Sequence, residues 1–99
     1  MQNVVWFISF KLADGASVGD FLAASKKVHD EVLSKQKGFI SWNVLAHEDT
    51  WTDLVTWETM EDAVNGETAG QNNPVSHEFY AFLDPSSIES KVYTVEAKH

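Results

Sequence analysis

Residues 50–63 read TWTDLVTWETMEDA, and the fold turns on how this stretch is parsed. Threonine, tryptophan, valine and leucine dominate as far as Glu58, a composition that suits a pleated strand. Thr59 followed by Asp62 is then a helix N-cap arrangement, so the strand runs straight into a helix. Along the strand Trp51 and Trp57 share one face, and Leu54 sits on the other between threonines. Neither face is plainly wet. In a chain of 99 residues such a strand needs cover on both sides.

The same reading extends outward. Residues 39–46, FISWNVLA, form a strand joined to this one by the polar turn His47-Glu48-Asp49. Alternation puts Ile40, Trp42, Val44 and Ala46 on one face and Phe39, Ser41, Asn43 and Leu45 on the other. Residues 4–12, VVWFISFKL, give a first strand ending near the turn pair Asp14-Gly15, with Val4, Trp6, Ile8, Phe10 and Leu12 on one face and Val5, Phe7, Ser9 and Lys11 on the other. Ser17, with Asp20 three residues on, caps a helix expected to reach Lys37, where Gly38 supplies the left-handed C-terminal position. Its apolar stripe comprises Val18, Phe21, Leu22, Ser25, Val28, Val32 and Leu33, and His29 falls inside it. The helix after Thr59 is expected to weaken past Ala63, because Asn65, Gly66 and Gly70 lower helix propensity. Asn73-Pro74 starts a short helix over 75–83, Asp84-Pro85-Ser86-Ser87 closes it, and residues 88–97 alternate as a fourth strand.

The order βαββαβ predicts an α+β, ferredoxin-like domain spanning residues 1–99, with a four-stranded antiparallel sheet and helices on one face. The opposite face carries Val5, Phe7 and one side of the opening strand. A second copy, packed sheet to sheet as a dimeric α/β barrel, is the simplest cover for it.

Composition narrows the function classes. The formal charge of -8, with Lys26, Lys27, Lys35 and Lys37 gathered on one helix, offers no basic patch for nucleic acid or an anionic membrane. No cysteine is present, so there is no disulfide framework and no thiol nucleophile. No apolar run reaches the ~20 residues of a membrane span, and the start, MQNVVWF, lacks the basic flank of a signal peptide. A soluble, cytoplasmic protein is expected. No histidine or carboxylate pair has a metal-ligand spacing, and there is no phosphate-binding loop or nucleophile elbow; neither metal nor cofactor is expected.

Two segments resemble a known family. Gly38-Phe39-Ile40-Ser41-Trp42 with Val44-Leu45 is similar to the Gly-Phe-x-Ser segment entering the second strand of the antibiotic biosynthesis monooxygenase-like group of the dimeric α/β-barrel superfamily. Asp53-Leu54-Val55-Thr56-Trp57-Glu58-Thr59 with Glu61-Asp62-Ala63 resembles that family's strand-end Trp-Glu-Ser-x-Glu-x-Ala pattern. The resemblance in element order spans the chain. It implies a homodimer, a pocket in each protomer between sheet and helices, and, for some members, cofactor-independent oxygenation of aromatic or quinol compounds. The heme-degrading branch uses an Asn, a Trp and a His. Their positions fall here at about Ile8, near Asn65 and near His77, so two of the three differ.

The residues that could carry chemistry follow from these placements. His29, amid Phe21, Ser25, Val28 and Val32, is the first candidate for a general base or hydrogen-bond donor aimed at the sheet; the plain alternative is a core histidine tied to a strand hydroxyl or carbonyl, or one at the rim of the stripe. His77, beside Asn72, Asn73 and Tyr80, lines a pocket mouth if the broken helical region is a lid, and is otherwise simply exposed. Trp6, with Ile8 and Phe10 on its face, is the best candidate wall for a planar aromatic ligand, and Trp57 ends its strand where a pocket floor would lie. The tryptophans serve equally as core and dimer packing. The reading is a small-molecule pocket protein resembling cofactor-independent monooxygenases, with catalytic candidates His29 and His77 and substrate-binding candidates Trp6, Ile8, Phe10, Trp57 and Tyr80. A non-catalytic ligand-binding or regulatory homodimer, and a dimer that serves only assembly, are the alternatives.

Overall fold

The computed structural model describes residues 2–99. Strand β1 (Val4–Phe10) is followed by helix α1 (Val18–Glu31), strands β2 (Phe39–His47) and β3 (Thr50–Trp57), helices α2 (Met60–Gln71) and α3 (Pro74–Tyr80), and strand β4 (Glu89–Thr94). The strands form one antiparallel sheet in the order β2-β3-β1-β4. This is the ferredoxin-like α+β arrangement expected from the element order. Among the described residues no helix is long and apolar enough to cross a membrane.

The opening stretch behaves as read. β3 pairs with both β1 and β2 (Trp6 with Val55, Trp42 with Val55) and so is a central strand. Thr59 caps α2 by accepting a hydrogen bond from the Asp62 amide at 3.0 Å. The inward faces of β1 and β3 carry Val4, Phe10, Val55 and Trp57 into a core completed by Phe21, Val28, Val32 and Leu33 from α1 and its exit, Ala63 of α2, Phe79 of α3, and Leu83. Phe79 is the pin of the helical layer. Its ring meets Phe21 at 5.5 Å, Trp42 at 5.7 Å and Phe10 at 6.4 Å between centroids, an arrangement that fixes α3 over the sheet.

The first strand, the short helix and the last strand are shorter than expected, ending at Phe10, Tyr80 and Thr94, and three further expectations change. α1 stops at Glu31, and a single 3-10 turn (Leu33–Lys35) follows it. Val32 and Leu33, at the junction of helix and turn, both enter the core, at 2% and 6% exposure. A register irregularity between Phe39 and Ser41 turns Phe39 toward the helices, where it meets Trp57 at 5.7 Å, and leaves Ile40 exposed. The alternation read from Phe39 therefore inverts at its first residue. α2, finally, runs unbroken through Gly66 and Gly70 to Gln71. Both glycines are buried, and a β-carbon at Gly66 would run into the Trp57 ring. Close approach to the sheet thus overrides propensity.

The face of the sheet opposite the helices carries Val5, Phe7, Leu45, Leu54 and Tyr93, with Leu45 and Tyr93 exposed and Phe7 set against the Tyr93 ring at 6.3 Å. No element of the described residues crosses this face.

Candidate functional site

A cavity of about 290 Å3 lies between the sheet and the α2–α3 layer. β1 supplies Trp6 and Ile8, β3 supplies Asp53, α2 supplies Glu67 and Gln71, α3 supplies Phe79 and Tyr80, and the segment around β4 supplies Ile88 and Ser90. Its volume is at the lower end of small-ligand sites. The walls are mostly apolar and aromatic, and two acids, Asp53 and Glu67, are among them.

Asp53 follows from the pleat of β3. Trp51, Asp53, Val55 and Trp57 share the inward face, so the chain buries an acid between a tryptophan and a valine. Asp53 is 4% exposed, and its Oδ1 has no hydrogen-bond partner in the protein. Burial pushes its carboxyl up from 3.8 to about 7; the Trp42 indole opposes the rise and the charge of Glu67 adds to it. The Trp42 N–H nonetheless reaches no acceptor at hydrogen-bond geometry. Glu67 comes four residues after Ala63 and three before Gly70 on α2, the face turned to the sheet. Burial pushes its carboxyl from 4.5 to about 7, opposed by the Trp57 indole, whose own N–H is left unpaired. Because the two acids share a cavity and one raises the other, these values belong to the pair. Tyr80 borders both, and its phenol is raised by burial and then by the charges of Glu67 and Asp53.

Acids that ionise near neutrality inside an apolar cavity are suited to accept a proton from a bound ligand or return one to it. The remaining polar groups orient. Trp6 Nε1 donates to Ser90 Oγ at 3.1 Å, which holds the indole against β4. Gln71, the last residue of α2, also lines the cavity.

Of the residues singled out from sequence, the cavity gathers Trp6, Ile8 and Tyr80. Phe10 and Trp57 are sealed in the core at 1% and 0% exposure and form the packing behind the cavity. Neither imidazole lines it. His29 stands at the rim of α1, its Nδ1 2.8 Å from Asp30 Oδ1 and its ring edge-on to Phe39 at 5.5 Å, beside a separate open depression with Lys26 and Val44. His77 donates from Nε2 to the Gln71 carbonyl at 2.8 Å and lies against Tyr80, so it braces the junction of α2 and α3 from outside. Asp53, Glu67, Gln71 and Ser90 were not anticipated. For Asp53 the signal was present: an acid at an inward position of an otherwise apolar strand face. For Glu67 it was masked, since the helix was expected to fade before reaching it.

No protein-family model and no curated protein matches the sequence. Solved structures do match. The cofactor-independent oxygenase SnoaB from Streptomyces nogalater superposes with a TM-score of 0.81 at 13% identity, covering 99% of this chain and 97% of that one. A candidate antibiotic biosynthesis monooxygenase from Nitrosomonas europaea gives 0.72 at 10% identity over 95% and 90% of the two chains. Another from Bacillus cereus gives 0.67 at 15% over 100% and 98%. At these identities the likeness is one of architecture, and it extends over the whole of both chains. The chain has the ferredoxin-like fold of the antibiotic biosynthesis monooxygenase-like proteins.

Proposed function

We propose that this chain is a cofactor-independent oxygenase of a neutral, weakly acidic aromatic compound of the hydroquinone or anthrone type. The observation that carries the proposal is Asp53: a nearly fully buried carboxyl with an unpaired oxygen, ionising near pH 7 in a cavity lined by Trp6, Ile8 and Tyr80. An ionised Asp53 takes the acidic proton of the substrate. The resulting electron-rich anion, kept from water, passes one electron to dioxygen, and recombination gives a peroxide. Loss of water from that peroxide yields the quinone. For an anthrone the balance is one substrate and one O2 to one quinone and one H2O. Trp6 and Ile8 hold the ring plane, Tyr80 closes the mouth, and His77 keeps the α2–α3 junction in place. The architecture shared with SnoaB supports this reading at the level of fold.

The proposal includes a homodimer, in which a second copy covers Val5, Phe7, Leu54 and Tyr93, and a single domain over residues 1–99. A cytoplasmic home rests on the cysteine-free sequence alone. Oxygen uptake on a panel of hydroquinones and anthrones is the test, with wild type compared with Asp53→Asn. Loss of a general base predicts a fall in kcat of about 100-fold or more. Uptake that is unchanged in the variant refutes Asp53 as the base.

A second reading has its own observation. The cavity holds two acids, three aromatic side chains and no cationic side chain, a lining that also suits a small organic cation in a non-catalytic binding protein. Tight calorimetric binding of an aryl ammonium compound, with proton release and with no oxygen uptake on the panel, would select that reading.

A further inference from the structure

Adjoining the main cavity lies a second, smaller chamber of about 40 Å3, with Ile8, Asp53, Glu67, Phe79 and Tyr80 shared between the two. Its polar lining is Trp42, Asp53, Glu67, Ser76 and Tyr80; the rest is aliphatic, with the Phe79 ring. Among the described residues four buried side-chain polar atoms lack any partner: Trp42 Nε1, Asp53 Oδ1, Trp57 Nε1 and Ser76 Oγ. Three of them belong to residues lining this one chamber. Ser76 is 1% exposed and Asp53 4%. Buried polar groups are nearly always paired, and three orphans around a single void call for a common partner.

We infer that the inner chamber is a binding site for one ordered water, which accepts from the Trp42 indole, bonds Asp53 Oδ1 and Ser76 Oγ, and joins Asp53 to Glu67. Size and chemistry agree. A water occupies about 30 Å3 in the liquid and typically makes about three hydrogen bonds when buried. Trp42 Nε1 can only donate, an ionised Asp53 can only accept, and the Ser76 hydroxyl does either, so one water satisfies all of them at once. An apolar gas would leave every one of these atoms unpaired.

The role of this water rests on the oxygenase reading. Asp53 lies deepest and takes the substrate proton; its acid form passes a proton to the water, which hands one of its own to ionised Glu67. Glu67 then releases it through the main cavity. Nothing is consumed, and Asp53 is again ionised for the next substrate.

The site is tested without turnover. In 15N-labelled protein, the Trp42 indole proton is expected to show a nuclear Overhauser effect to a water of long residence time. In Ser76→Ala that water loses a partner, so its stabilisation of ionised Asp53 weakens, and the 13C-detected titration midpoint of Asp53 rises. Absence of the Overhauser effect overturns the water site. So does a midpoint that stays in place or falls in the folded variant. Occupation of the chamber by xenon in a pressurised crystal would also overturn it. A bound water with no oxygen uptake on the substrate panel leaves the water site standing and defeats the oxygenase reading. Oxygen uptake with a dry chamber does the reverse.

Discussion

Replacing Asp53 with asparagine should make the protein's stability less sensitive to a rise in pH than that of wild type. The Asp53 carboxyl holds its proton more tightly folded than unfolded, because burial penalises the charge. Its contribution is therefore intact below pH 3.8, is lost progressively as pH climbs from 3.8 to about 7, and is flat above that. At about 1.36 kcal/mol for each tenfold change in proton affinity, a rise from 3.8 to about 7 is worth roughly 4 kcal/mol at full value. Water entering the cavity would reduce the figure, so about 2–4 kcal/mol is expected. The substituted amide cannot ionise, and any packing or hydrogen-bond penalty it brings is independent of pH. The measurement is urea unfolding of wild type and Asp53→Asn at pH 4 and pH 8, at one fixed protomer concentration. The stability difference should move in favour of the variant by about 2–4 kcal/mol between the two pH values. A difference that is the same at both would refute the buried, proton-holding Asp53 on which the site is built.

Ser90→Ala removes the acceptor for the Trp6 indole N–H, and freeing that ring should weaken binding of a planar ligand by about 5-fold with little loss of stability; Trp fluorescence titration reads it, and an unchanged Kd would show that the bond does not set the ring. Phe7→Asp puts a charge in the centre of the face lined by Leu54 and Tyr93 and should convert a dimer to a monomer in sedimentation; wild type that sediments as a monomer at micromolar concentration defeats the dimer itself. Gly38→Ala strains a backbone at φ +79° and drives a β-carbon into the buried Asp62 carboxyl, with an expected loss of about 2–3 kcal/mol seen as a lower urea midpoint. Retention of the wild-type midpoint would mean that the β2 entrance gives way more easily than its packing suggests.

The architecture was legible because two periods are written plainly in the chain. Val4, Trp6, Ile8 and Phe10 alternate, as do Trp51, Val55 and Trp57, and Phe21, Ser25 and Val28 recur at helical spacing. Errors came where tertiary contact overrode a local rule. Gly66 and Gly70 looked like the end of a helix and are the reason it can lie so close to Trp57. Phe39 looked outward until the register irregularity turned it in. The site was half legible. Trp6, Ile8 and Tyr80 follow from face and order, whereas His29 drew attention for lying within an apolar stripe whose edge it only borders. Asp53 is easily passed over because a strand so rich in tryptophan draws attention to its aromatic residues, although the acid at an inward position is the rarer signal.

The close seat of α2 on Trp57 has a bearing on chemistry as well as packing. Gly66 immediately precedes Glu67 and lets the helix settle until the Glu67 side chain meets the cavity of Asp53. How deeply the two acids are buried, and so how strongly each holds its proton, is governed by a residue that has no side chain of its own. A larger residue there would prop the helix away from the sheet, admit water between the acids and return both toward ordinary acidity. The acidity of the two carboxyls is in that sense tuned by the thickness of a backbone contact.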